Sequence, residues 1–279
     1  MASFMDKMNK KASELKSKAS ELKDIASEKI EELAETTDQP EGNVGGGGLT
    51  YASCATDLSE FTTEELSEME ARRARSIAII ETEDVPIWDD LPMIVPESHA
   101  KPHKHKKIAG RAVALFLLVS RAKKETEYAT EKMVEYAEDK DLFSYNEAEL
   151  MEDDVMSDDD AFQNIWRMEA LYVILWALNL VETLPRPDAQ RSFAEMATLM
   201  KGKKVKKLVE ETNLRPQSEI LDAADLIYRY HWAIRNEGAH GRDAPDGLDR
   251  SVVMERHHAL NWLIKFDGEK DWDEIKTST

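Results

Sequence analysis

The stretch "SEILDAADLIYRYHWAIRN", Ser218–Asn236, decides the fold. At 100° per residue, Asp222, Asp225, Arg229 and Asn236 gather on a stripe about 60° wide. Nearly every other position is apolar or aromatic, and His231 falls between Ile220, Ala224 and Ile227 in the middle of an apolar face. A helix of this kind is buried around most of its circumference, so its charges need partners inside the protein. Two more stretches repeat the pattern: "WRMEALYVILWALNL" (Trp166–Leu180) and "ERHHALNWLIKF" (Glu255–Phe266). In the first, Glu169 sits beside Val173, Trp176 and Leu180. In the second, Glu255, His258 and Trp262 share a stripe, while Arg256 lies opposite among Val252, Leu260 and Leu263. Alternating strand patterns are almost absent, so the expected fold is all-α: a single globular helical domain.

Working outward, Thr62-x-x-Glu65 has the form of a capping box and opens a helix expected to run to about Glu81. A non-helical segment with three prolines follows at Asp84–Pro96, then an apolar helix at Ile108–Ala122, another helix at about Glu125–Glu138, and a second capping box at Ser144-x-x-Glu147. Glu147–Asp160 carries eight acids but lacks the order of a calcium loop; it is expected to be an exposed acidic turn whose last aspartates favour the next helix start. Upstream, "ASELK" recurs after seven residues at Ala12 and Ala19, which aligns Ala12, Leu15, Ala19, Leu22, Ala26 and Leu33 on a heptad-like seam. Residues 1–35 are thus expected to form a tethered amphipathic helix. Residues 36–57, with Pro40 and Gly45–Gly48, are expected to be a flexible linker, and 58–279 the helical domain.

Composition narrows the function. The chain has 279 residues and a net charge of −19, which argues against nucleic acid as a partner, because duplex binding rests on Lys and Arg neutralising phosphates. No apolar run is long enough for a transmembrane segment and no secretory leader is expected. The single cysteine, Cys54, excludes an internal disulfide and suits a reducing compartment, so a cytoplasmic location is expected.

Three readings of the polar core stand side by side. In the first, Arg256 and Arg229 pair with Glu169, Asp222 or Asp225, Asp225–Arg229 being an i,i+4 pair, and His231 bonds a backbone carbonyl. Glu169→Ala would then cost about 3–5 kcal/mol. In the second, Glu255-x-x-His258 holds a divalent metal with Glu169 and Asp222 or Asp225, although the paired arrangement of dinuclear bundles would need a second such motif. In the third, His231 or His258, set by a carboxylate such as Glu255, acts in acid–base catalysis. No nucleophile elbow or phosphate-cradling loop accompanies them, and no cofactor is expected on the first reading. The loop with His99, His103 and His105 is expected to be solvated, the loop 237–247 to be the mobile element nearest the core, and the lysines of 201–207 to balance surface charge.

The segments "WRMEALYVILWAL", "EILDAADLIYRYHWA" and "VVMERHHALNWLI", closed by "WDEI" at Trp272–Ile275, resemble in order and spacing a family of bacterial proteins, domain of unknown function 4272. The resemblance runs from about Glu70 to the C-terminus and takes in "VPIWDDLP" and the Arg111-Ala112 helix. It implies a mostly helical domain and brings no activity, substrate or cofactor. The expected function is a non-enzymatic protein-interaction role, of accessory, inhibitor or immunity type, with the N-terminal helix docking on another protein or a second copy. The alternative is a metal-assisted hydrolase centred on Glu255, His258 and the aspartate stripe.

Overall fold

The computed structural model describes residues 54–55, 58–124, 142–152, 156–269 and 271–279. All belong to the unit Thr50–Thr279. The expected N-terminal helix, most of the linker and the helix expected at 125–138 lie outside the described residues.

Thr62 begins helix α1 (Thr63–Ile80) with a complete capping box: its Oγ1 accepts from the Glu65 N–H at 3.2 Å, and the Glu65 carboxylate accepts from the Thr62 N–H at 2.9 Å. The helix buries Met69, Arg72, Ser76 and Ile80, a single face at helical spacing. Strand β2 (Met93–Ile94) follows the proline-rich segment and pairs antiparallel with β1 (Cys54–Ala55). Cys54 is thus in a backbone pairing with Ile94. Two residues joined through their backbones leave no alternation in the sequence to announce them. Arg72 anchors this corner, donating from Nη1 to the carbonyls of Ile94 and Val95 at 3.3 and 2.9 Å.

Helix α2 (His105–Ala122) is the axis of the core. From Ile108 onward every residue is buried except Gly110, because "AVALFLLV" is apolar on all sides. Around it pack α4 (Asp158–Ile165), α5 (Arg167–Ala177), α6 (Phe193–Met200) and α7 (Val205–Glu211). The second capping box forms as well: Ser144 N–H donates to the Glu147 carboxylate at 3.1 Å and starts α3 (Tyr145–Glu152). Ser157 caps α4, whose first turn holds Asp158, Asp159 and Asp160, as expected for the end of the acidic run. The lysines of 201–207 meet the acids of α7, as in Lys206–Glu210 and Lys207–Glu211.

Helix α8 (Gln217–Ala239) packs against α1 on one side and α9 (Arg250–Ile264) on the other, and α9 also packs on α5. The C-terminus of α5 is closed by Arg215, which donates to the carbonyls of Trp176, Val181 and Glu182 while its guanidinium lies 4.7 Å from the Trp176 ring centroid. Beyond α9, Lys265 takes a left-handed conformation that ends the helix, and the C-terminal segment returns across the bundle. It is held by Asn261 donating to the Lys276 carbonyl at 2.8 Å and by the buried Trp272. The domain is all-α.

Candidate functional site

Charges enter the core in matched pairs. Glu169 on α5 is fully buried, and its Oε2 accepts from Arg256 Nε of α9 at 2.9 Å. The other oxygen, Oε1, accepts from the Arg191 backbone N–H, and Arg256 Nη1 donates to the Pro185 carbonyl. One ion pair therefore ties α5, α9 and the connection 181–192 together. Burial disfavours the Arg256 charge, and the Glu169 carboxylate opposes that effect. On α8, Arg229 grips Asp225 with Nε and Nη2 at 2.8 and 3.1 Å, both side chains buried. Glu255 accepts from Arg167 Nη1 at 3.2 Å. Burial pushes the Glu255 carboxyl upward against the pull of Arg167, while Glu255 holds the Arg167 cation in its charged form. Glu147 of α3 pairs with Arg111 of α2, both almost wholly buried.

The expected network is real only in part. Glu169 does meet Arg256, and Asp225 meets Arg229. Asp222 joins neither: it is half-buried and turns to α1, accepting from Arg75 Nε and Nη2 at 3.0 and 2.7 Å, with Arg72 at 3.4 Å. The stripe that Asp222 shares with Asp225 faces α1, whose arginines reach Asp222 before any residue of α9 does. Among the described residues His231 bonds no backbone carbonyl. Its Nδ1 lies 2.7 Å from Nδ1 of His257, with the two rings edge to face. In such a bond one ring nitrogen must donate and the other accept. Burial, reinforced by Arg235 and Arg250, lowers His231 to about 4, and burial lowers His257 well below its ordinary value.

The residues offered as metal ligands are not gathered on one point. Glu169 is engaged by Arg256, Asp222 by Arg75 and Arg72, and Glu255 by Arg167. His258 stands edge-on to Trp272, 4.6 Å between centroids, and burial with the nearby Arg167 and Arg111 charges lowers it to about 3. Among the described residues no group of three or more His, Cys, Asp and Glu side chains is placed to hold a metal ion.

The histidine loop also departs from expectation. His103 is buried and stacks on Trp262 at 4.1 Å, and the His105 ring lies 2.8 Å from Thr212 Oγ1 in the first turn of α2. His99 reaches the Glu65 carboxylate at 3.2 Å. Trp262, far along the chain, supplies the surface on which this loop docks, and no local pattern reveals it. The loop 237–247 is fastened by Arg242 to Glu237 and by Arg186 to Asp246 at 3.0 Å.

A cleft of about 710 Å³ opens where the first two turns of α2 meet α3 and the C-terminal segment. Lys104, Lys106, Lys107 and Arg111 line one side, and Phe143, Tyr145, Trp262 and Trp272 contribute aromatic surface. The Arg111 guanidinium lies 4.5 Å from the Trp272 ring centroid. Arg111, Arg167 and His257 were not among the candidate residues of the sequence. A lone arginine immediately before "AVALFLLV" (Ala112–Val119) is the same signal that singled out Arg256, and it marks Arg111 equally well.

The family model described as Domain of unknown function (DUF4272) matches residues 72–275. The chain belongs to the DUF4272 family. The match spans every buried pair described above, from Arg111–Glu147 to Glu169–Arg256, and both tryptophans of the cleft, while the heptad-like N-terminal segment precedes it. No curated protein and no solved structure matches the chain.

Proposed function

We propose that this DUF4272 chain is a non-enzymatic protein-interaction module, acting as an accessory, inhibitor or immunity-type protein in the cytoplasm. One observation carries this reading: the buried carboxylates are met by arginines, and burial disfavours the charged forms of His231, His257 and His258. A general acid or base works best with a pKa near the working pH. Burial keeps His231 near 4 and His258 near 3, well below neutrality. Glu255 is fixed by Arg167. These groups hold the bundle together and are poorly suited to moving protons or activating water. The single cysteine suits a reducing compartment. The heptad-like segment at 1–35 supplies a second contact, to another protein or to a second copy.

The test is a hydrolase panel on the full chain, with and without added divalent cations, beside capture experiments with the full chain and with a chain lacking residues 1–48. The expected result is no turnover and a change of partners or oligomeric state on deletion. Turnover abolished by Glu255→Gln at unchanged thermal stability would overturn the reading in favour of the hydrolase.

A further inference from the structure

Helices α1, α4, α5 and α8 carry acids in their first turns: Glu64 and Glu65, Asp158 to Asp160, Glu169, and Glu219. That is the sign favoured at the positive end of a helix dipole. Helices α2 and α7 invert it, but the first-turn lysines of α7, Lys206 and Lys207, are paired with Glu210 and Glu211, and those of α2 form no such pair among the described residues. Helix α2 therefore leaves the inversion unrelieved. Its first turn has no acid, its N-cap Lys104 provides no side-chain hydrogen bond, and Lys106 and Lys107 follow at once. These three exposed lysines form no ion pair among the described residues, in a chain of net charge −19. Cations stacked on a positive helix end repel it and one another.

A second observation points to the same place. Lys104, Lys107 and Arg111 lie at i, i+3 and i+7, on one face of α2. Arg111 and Trp272 are both more than nine-tenths buried, both line the cleft, and among the described residues each keeps an N–H without an acceptor, Arg111 Nε and Trp272 Nε1. Single donors without a hydrogen-bond acceptor occur elsewhere in the domain, at Arg72 Nε and Arg256 Nη2 for example, but here two of them, on Arg111 and Trp272, line one cleft beside three lysines unpaired among the described residues, a combination that suits an acceptor from outside. The remaining lining limits what that acceptor is attached to. Glu269 and Asp271 stand on the cleft as well, and they repel a ligand of many negative charges, nucleic acid and polyglutamate alike, so the acceptor belongs to a segment that brings a single carboxylate. Tyr145 is 74% exposed and Phe143 half-buried, which offers apolar surface next to the lysines.

We propose that this cleft binds an acidic and aromatic segment of a partner protein, seating a carboxylate on the Lys104–Lys107 rim in front of Arg111. This rests on the reading of the domain as an interaction module. It adds where the partner binds and by what chemistry.

The experiment titrates the full chain with a peptide carrying one glutamate beside phenylalanine, followed by calorimetry and tryptophan fluorescence, in parallel with inorganic phosphate. Saturable peptide binding that weakens as salt rises from about 50 to about 300 mM is expected. The double variant Lys104→Glu/Lys107→Glu is expected to lose about tenfold or more in affinity, with a melting temperature equal to or above that of the parent. Peptide binding undiminished in the double variant, or saturation by phosphate without any by peptide, would overturn the proposal. The double variant is also passed through the capture experiment. Partners retained unchanged would sink the cleft while leaving the interaction reading intact; turnover in the hydrolase panel would sink the interaction reading.

Discussion

The contact of α5 with α9 and the start of α2 both place arginine beside aromatic and apolar side chains, yet they treat charge in opposite ways. At the α5–α9 contact, Glu169 and Arg256 satisfy each other and the neighbouring backbone, and both are almost fully out of water. At the start of α2, three exposed lysines stand at a helix end that repels them and form no ion pair among the described residues. The contrast teaches where each region's charge does its work. Neutralised charge inside the bundle fixes how helices meet. Unneutralised charge at its edge is disposed toward something outside it.

The largest effect is expected from breaking a matched pair. Glu169→Ala leaves the Arg256 cation buried without a partner, and urea denaturation should show a loss of about 3–5 kcal/mol. A loss below about 1 kcal/mol would mean that water reaches Arg256 and that the pair is not sealed. Next comes pH. The unfolded chain protonates an imidazole near 6.5, whereas folded His231 resists until about 4. Between those values the unfolded state binds more protons, so stability falls as pH falls. The contribution is fully present above pH 6.5 and fully lost below about 4, and for His231 it amounts to roughly 3 kcal/mol. His257 steepens the same slope. Parallel melts of His231→Gln should show a flatter dependence from pH 6.5 to 5; an identical curve would remove the histidine pair from the account.

Smaller effects sharpen the contrast from the other side. Asp222→Ala removes partners of Arg75 and Arg72 at a half-exposed position and should cost about 1 kcal/mol or less in the same denaturation assay. Lys106→Glu should raise stability by about 0.3–1 kcal/mol, because it puts an acid where the α2 dipole favours one. A decrease would show that the lysines already have a structural use within the domain.

What the sequence made legible follows from the range of each interaction. Capping boxes at Thr62 and Ser144 and the Asp225–Arg229 pair are local, so spacing alone finds them. The apolar circumference of Trp166–Leu180 foretold that Glu169 would be buried, and the structure leaves none of it exposed. The choice among Glu169, Asp222 and Asp225 as the partner of Arg256 was not legible, because it depends on how α5, α8 and α9 cross. For the same reason helical spacing does not reveal that α1 claims Asp222 or that the neighbour of His231 is His257. The cleft was invisible as a site. Its parts come from α2, α3 and the C-terminal segment, and only the fold brings Arg111 beneath Trp272.

The most direct test of the central claim, that interior charges are mutually satisfied structural pairs, is a double-mutant cycle in urea on Glu169→Ala, Arg256→Ala and their combination. If Glu169 and Arg256 satisfy each other, the double variant loses little more than either single one, with a coupling of about 2 kcal/mol or more. Losses that simply add would contradict the claim.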